Sequence, residues 1–519
     1  MNKKSSKINH LLRLAVLVGL WILSLGPVQP LKAQPVLSAK SIAFGGSGTA
    51  YLGGFEATFR NPANLAISNR PGRLHFGIGH IGILYEPVLS KDAADNQFLN
   101  FTDHFYPYRA GSTDITANQR ANILQRNYSR NSMLSQHQAR VDIILGGVLW
   151  QGDNEAFSIV ARARMASRIE VGRGWYSEDF IPSGDLRVRN FTLSQQKNHL
   201  YELSFGYARE FTFFNGLSPR LNKLYIGIAP KIVVAGPSVF AAYNARYIRN
   251  QEGNSTLYTS DFFYRSTGEY ARATSRYLLS GNPRQAISNN LSRRYHFQPT
   301  GYGLGFDFGL TYMIPLGNEL PAVSPDDEHS FVSKSIRLAF SVSDLGMIYY
   351  NKNPLTLSSP PHSVQIPQQS ARNSMFIGAG GQYFSYFDSA QTVPNPLLNA
   401  QKVDRSSYST LLPTSLNAGV LIELSRLKLM GDLTLGLNNT AFTTTKLMAH
   451  FGLEIRPARQ IPVRFGARLA AGLPTRIGLG TGIETRYWDF TVGTQVILQS
   501  QALTSEFVGG AFAGIQVHL

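Results

Sequence analysis

Gly77-Ile-Gly-His-Ile-Gly82 has the spacing of a phosphate-binding glycine loop, with His75 just before it and His80 within it. Dinucleotide binding requires such a loop to open a helix inside a βαβ unit. Here Ile-Leu-Tyr-Glu continues extended into Pro87, so a first strand over about residues 73–85 is the expected reading. The two histidines are five apart, which places them on opposite faces of a strand and argues against joint metal ligation. Gly45-Gly-Ser47-Gly-Thr49 lacks the second glycine and the strand–turn–helix setting of a nucleophile elbow. The absence of cysteine removes thiolate nucleophiles, thiolate metal sites and disulfides. No catalytic residues, cofactor or metal are expected, and the protein is not read as an enzyme.

The remaining chemistry lies in charged residues set among apolar ones with a period of two. In Gly301–Ile314 ("GYGLGFDFGLTYMI") the even positions are large and apolar, and the odd ones are mostly glycine, Asp307 or threonine. Phe157, Ile159, Ala161, Ala163 and Met165 oppose Arg162 and Arg164, and Tyr201, Leu203, Phe205 and Tyr207 oppose Glu202. Further along, Leu447 to Ile455 oppose His450 and Glu454, and Ile461 to Leu469 oppose Arg464 and Arg468. Trp488 to Val496 oppose Asp489. Such alternation describes strands with one greasy and one polar face. The polar faces hold glycine and charges instead of the Lys, Glu and Thr of a sheet facing bulk water. Segments of about ten residues or more exceed the strands of most globular sheets. The expected fold is all-β, a transmembrane antiparallel barrel of 14–16 strands. Arg162, Arg164, Asp307, Asp432, Arg464, Arg468, Arg476, Glu484 and Asp489 would then face the lumen, as a permeation path for an amphiphile or as a salt-bridge network. The need of buried charges for partners favours the network. Pro230, within an apolar run, marks a bulge or a lateral opening.

Bulk properties agree with a barrel. Charged residues are only 16% of the 519, yet the body of the chain has no apolar run of about 20 residues for a membrane helix. Lys3, Lys4 and Lys7 precede Leu14–Leu25 and then Ala33, the pattern of a signal peptide over 1–33. Without the five basic residues of that segment the net charge falls from +17 to +12. An exported chain lacking a basic helix is a poor nucleic-acid binder, whereas anionic lipid or an anionic ligand suits the charge. Long polar stretches at 91–138, 167–199 and 244–300 are expected to be outer loops. The last of these carries eight arginines against three acids, among many aromatics. Arginine forks of this kind suit the phosphates of an outer-leaflet glycolipid such as lipopolysaccharide, or a ligand carboxylate. A loop packed on its own aromatics is the alternative.

Ser41–Ala66 ("SIAFGGSGTAYLGGFEATFRNPANLA") resembles the N-terminal signature of FadL-like outer-membrane barrels, the long-chain fatty acid transporter superfamily. Together with "RLAFSVSDLGMIYY", "LPTSLNAGV" and "PVRFGARLAAG", it most resembles uncharacterised and PorV-like barrels of Bacteroidota. The resemblance implies about 14 strands over 71–519, with residues 34–70 folded inside the lumen as a plug. Gly45, Gly46, Gly48, Asn61, Pro62 and Ala63 would belong to that plug, where glycine supplies positive φ angles in a crowded pore. It also implies an integral protein of the outer membrane of a Gram-negative bacterium. Two functions follow: passive uptake of hydrophobic or amphipathic small molecules, or a membrane-held scaffold for secretion or surface-assembly proteins. Glu56 is the single acid between the glycines and Asn-Pro-Ala.

Overall fold

Outward-facing apolar residues and inward-facing polar ones define the wall. The computed structural model describes residues 38–67, 73–86, 118, 121, 124–125, 128, 133–177, 179–213, 222–250, 256–280, 298–316, 334–366, 400–470, 475–498 and 509–519. The expected signal peptide and most of the stretch 91–138 lie outside these residues. The chain begins its strands with β1 (Leu74–Glu86), β2 (Leu134–Gln151), β3 (Glu155–Gly172), β4 (Ile181–Ser183), β5 (Leu186–Asn190), β6 (Leu193–Phe213) and β7 (Asn222–Ala235). It continues with β8 (Val239–Asn250), β9 (Thr256–Ser266), β10 (Gly301–Pro315), β11 (Lys334–Tyr350), β12 (Leu355–Ile366), β13 (Lys402–Asp404) and β14 (Tyr408–Leu411). It ends with β15 (Ser415–Leu424), β16 (Leu427–Gly436), β17 (Met448–Ala458), β18 (Ile461–Ala470), β19 (Thr475–Glu484), β20 (Trp488–Leu498) and β21 (Gly509–His518).

Fourteen of these form a closed antiparallel barrel: β1, β2, β3, β6, β7, β10, β11 and β15 through β21. The last strand pairs with the first, His75 opposite His518 and Tyr85 opposite Gly509. Closure leaves no backbone edge to meet hydrocarbon, the condition lipid imposes on a sheet. Phe157, Ile159, Leu304 and Phe451 are 47–71% exposed on the outside, while Arg162, Arg164, Arg464 and Arg468 are at most 2% exposed within. Trp150, Phe157 and Tyr207 stack in a row near the end that bears the C-terminus, with ring centroids 5.7 and 4.9 Å apart. Tyr302 and Tyr349 are direct partners near the other end and are also exposed. From Tyr302 to Tyr312 a tilted strand rises about 25 Å, the height of the apolar band of such barrels.

The wall is uneven. β15 to β21 run 10 or 11 residues, enough to span, while β2 and β3 have 18 and β6 has 21. The surplus projects on the side away from the C-terminus and joins β5, β8, β9, β12 and β13 in an antiparallel cap. Helix α2 (Gly268–Ser280) packs on it through Ala273 and Tyr277, among Trp175, Phe191, Tyr243 and Phe262. The described parts of 167–199 and 244–300 are thus largely strand and helix instead of open loop. Their aromatics are the reason, since they bury one another in a core of their own.

Candidate functional site in the barrel lumen

The described N-terminal residues, 38–67, pass across the inner face of the wall. Helix α1 (Ala39–Ala43) lies against β19 and β20; a 3-10 turn at Pro62–Ala66 lies against β6, β7 and β10. The wall is stripped of side chains where the segment touches it. A β-carbon at Gly466 would stand 2.0 Å from the Phe44 carbonyl carbon, and one at Gly77 would stand 1.9 Å from the Phe55 ring. Gly227 and Gly309 make the same room for Pro62 and Asn61. Within the segment, Gly45, Gly46 and Gly48 have φ of 67°, 99° and 140°, a region open to glycine and costly for other residues.

Polar contacts fix the segment in place. Asp432 accepts from the backbone N–H of Gly48 at 2.6 Å and of Thr49 at 2.8 Å, and stands 3.5 Å from the Arg60 guanidinium. Arg60 also donates to the hydroxyls of Thr49 and Thr434, both at 3.1 Å. Asn61 caps the turn by accepting from Ala63 N–H at 3.2 Å, and donates to the Thr49 carbonyl and the Thr311 hydroxyl at 2.9 Å. Pro62 occupies the first position of that turn, where no N–H is needed.

A charge cluster lies against Phe59. Arg162 donates to Glu202 at 2.6 and 3.0 Å; Arg164 pairs with Glu202 and forks onto Asp344 at 2.7 and 2.9 Å. Lys231 Nζ bridges Asp307 at 2.7 Å and Asp344 at 2.6 Å. Three cations thus meet three carboxylates, which lets the group be buried at all. The Arg162 guanidinium stacks 3.9 Å over the Phe59 ring of the segment. Asp344 holds a left-handed φ of 58° where β10 and β11 shift register, and its N–H donates to Asp307. One residue on, Pro230 faces Phe306 in the β7–β10 ladder, while the β6–β7 ladder is interrupted beside it between Ser204 and Tyr207.

A second cluster lies towards the end bearing the C-terminus. The Tyr51 hydroxyl donates to Glu454 at 2.7 Å; Arg464 reaches Glu454 at 2.9 Å and Glu484 at 2.5 Å, and Arg456 spans the same two acids. Arg468 and Arg476 are buried as direct partners on β18 and β19, with His450 opposite Arg468 on the other side.

His75 and His80 require a correction. Both point into the lumen, 2% and 7% exposed, because Gly79 at φ 70° forms a bulge and β1 slips one residue against β21. An uninterrupted strand would have separated them. His75 Nδ1 lies 2.7 Å from His518 Nδ1, and His518 Nε2 lies 3.2 Å from Asp489. His80 lies 2.8 Å from Glu56. Burial acts to raise the Glu56 carboxyl, but the hydrogen bond and charge of His80, with Lys40 and Arg464, carry it below its usual value. Among the described residues no three metal-binding side chains converge.

The structure therefore brings Arg162, Arg164 and Asp307 into one cluster and Arg464 and Glu484 into another. Arg468 and Arg476 stand beside the second, and Asp489 lies opposite Glu484 across β19 and β20, 3.2 Å from His518 Nε2. The sequence did not single out Arg60, Lys231, Asp344 or the Glu56–His80 pair. Lys231 was legible in principle, since it keeps the inward alternation of β7 with Ala229 and Val233.

Solved structures similar to this chain are barrels at low identity. The P. putida toluene transporter TodX matches at 10% identity and TM-score 0.40, covering 92% of this chain and 96% of that one. CymD, a monoaromatic hydrocarbon channel, matches at 12% and 0.40, covering 93% and 97%. A Pseudomonas aeruginosa FadL homologue matches at 9% and 0.24, covering 94% and 96%. No curated protein matches the sequence. A profile described as a family of unknown function (DUF5723) matches residues 73–495, from the start of β1 into β20, and the chain belongs to that family.

Proposed function

We propose that the protein sits in the outer membrane of a Gram-negative cell, among outer-leaflet glycolipid, and admits hydrophobic or amphipathic small molecules passively. In this reading residues 38–67 are a plug that shifts to open the lumen, and no reaction chemistry is involved. One observation carries it: the segment rests on a floor of wall glycines and is held by hydrogen bonds and ion pairs, which can be exchanged without unfolding the wall. The chain has no cysteine, so an introduced pair is unambiguous. A β-carbon at Gly419 would lie 3.0 Å from Thr49 Cβ, slightly inside the usual disulfide separation of about 3.5–4.5 Å, and 2.2 Å from Asp432 Oδ1, so the Asp432 side chain must turn aside and the oxidised and reduced forms of the same variant are the comparison. Thr49→Cys/Gly419→Cys in liposomes should lose flux of a hydrophobic probe when oxidised and regain it on reduction. Equal flux in both states would end the plug reading.

A second reading, a scaffold for secretion or surface-assembly proteins, gains support from the cap. Its aromatics are packed against one another instead of being offered to a ligand. Recovery of secretion components with the full-length protein, together with absent flux, would favour it.

A further inference from the structure

We propose that residues 437–447, which join β16 to β17, form a strap across the outer half of the bore, and that Phe442 on this strap sets the width of solute that passes. This rests on the reading of the lumen as an uptake path and adds a second barrier, in series with residues 38–67.

Topology shows how far the strap reaches. Going round the wall from β16 one way, the strands are β15, β11, β10, β7, β6, β3 and then β2. Going the other way they are β17, β18, β19, β20, β21, β1 and again β2. β2 therefore stands on the far wall, with β3 beside it. Yet the Phe442 ring centroid lies 5.0 Å from the Arg164 guanidinium on β3 and 5.7 Å from that of Arg140 on β2. Arg168, also on β3, donates to the Thr443 carbonyl at 3.1 Å. Phe442 is 2% exposed and clusters with Ala166, Leu200, Val233 and Ile348, inward residues of β3, β6, β7 and β11. A turn that only joined two neighbouring strands would reach none of the far wall.

The strap can lie inside the barrel because it satisfies its own backbone. The Thr440 hydroxyl accepts from the N–H of Phe442 at 3.1 Å and of Thr443 at 3.0 Å. The Thr443 hydroxyl donates to the Asn438 carbonyl at 3.1 Å. On the near side, the Leu437 N–H donates to the Thr414 carbonyl at 2.9 Å and the Asn438 amide donates to the Leu412 carbonyl.

Phe59 and Phe442 close on the charge cluster from its two ends. Arg162 and Arg164 share the inward face of β3; Phe59 of the inner segment takes the first, and Phe442 takes the second, which is nearer the cap. Phe442 can withdraw without stranding a charge, because Arg140 keeps Asp142 at 2.7 Å and Arg164 keeps Asp344 at 2.7 Å. What it vacates is an apolar niche that a hydrophobic solute can fill.

The test uses the full-length protein in liposomes, in the Thr49→Cys/Gly419→Cys background. Flux of hydrophobic probes of increasing width is recorded per folded barrel, with the disulfide reduced and oxidised. In the reduced state Phe442→Ala should raise flux at least about tenfold, the effect of withdrawing about 1.4 kcal/mol from the closed state, and most for the widest probes. Asn439→Ala, exposed on the same strap, should match the parent. Should Phe442→Ala fail to fold, Arg168→Met takes its place: it removes the donor on the far wall, and Arg168 has no carboxylate partner among the described residues. A rise that oxidation abolishes supports both barriers. Flux and width limit equal to the parent, with oxidation still blocking, overturns the strap and leaves the inner segment as the gate. An equal rise in both redox states overturns the inner segment as a gate and leaves the strap. No flux in any state overturns both.

Discussion

Gly309 faces Asn61 so closely that a β-carbon there would lie 1.9 Å from Asn61 Oδ1. Asn61 caps its turn with that oxygen and bonds Thr311 with its amide, so it cannot move aside without losing both contacts. Gly309→Ala should therefore loosen residues 38–67 by about 1–3 kcal/mol, the usual penalty of overpacking. Gly431→Ala is the matched control, because its β-carbon would meet nothing nearer than 3.6 Å. Limited proteolysis of the segment in folded protein compares them. Equal susceptibility in the two variants would mean that Gly309 is not the floor beneath Asn61.

The Lys231 ammonium serves Asp307 and Asp344 at once, and all three side chains are buried. Lys231→Met should cost about 3–5 kcal/mol because it leaves the Asp307 carboxylate buried without its cation, while Asp344 keeps the Arg164 fork. Lys231→Met/Asp307→Asn should recover part of that loss by removing one of the charges. Urea unfolding of the barrel in vesicles measures both. A single variant as stable as the parent would show the cluster to be open to water.

The wall was legible from the sequence and much of its furniture was not. Alternation in Gly301–Ile314 and Trp488–Val496 gave faces and closure because a lipid-facing strand must repeat every second residue. That same rule misplaced His80, since one glycine at positive φ reverses the parity without altering composition. Asp344 sits at another such register shift. The opening glycines drew attention to the segment's own backbone; the equally important glycines of the wall became interpretable only when Gly309 met Asn61 and Gly466 met Phe44. Cap strands escaped notice because their aromatics and arginines look like those of a solvated loop until the long strands that support them are paired.

Glu269, in the first turn of α2, gives the cap its own pH dependence. Burial pushes its carboxyl up to about 7, against the pull of Arg272 at 3.2 Å. The folded cap thus retains a proton that the unfolded chain releases above about 4.3. Its contribution to stability is complete below that pH and is lost as the pH rises through about 7. Hydrogen exchange in α2, corrected for intrinsic rates, should speed up between pH 5 and 8. Glu269→Gln should abolish that trend and leave the helix protected at pH 8. Exchange that slows over this range would contradict the sign.

Phe451 and Leu437 are similarly exposed, 54% and 53%, but differ in depth. Phe451 lies within β17, paired on both sides, while Leu437 follows the last residue of β16 at the rim that faces the cap. If acyl chains cover the outer face, an arginine at Phe451 must carry its charge into hydrocarbon, whereas one at Leu437 can reach the headgroups. Phe451→Arg should then cost about 2–4 kcal/mol and Leu437→Arg about 0–1 kcal/mol. In a soluble barrel neither exposed residue would penalise arginine, so the difference between the two reports the solvent itself. Reversible unfolding from vesicles, with the same pair repeated in detergent, supplies the comparison. Indistinguishable penalties would mean that the apolar exterior does not lie in a bilayer.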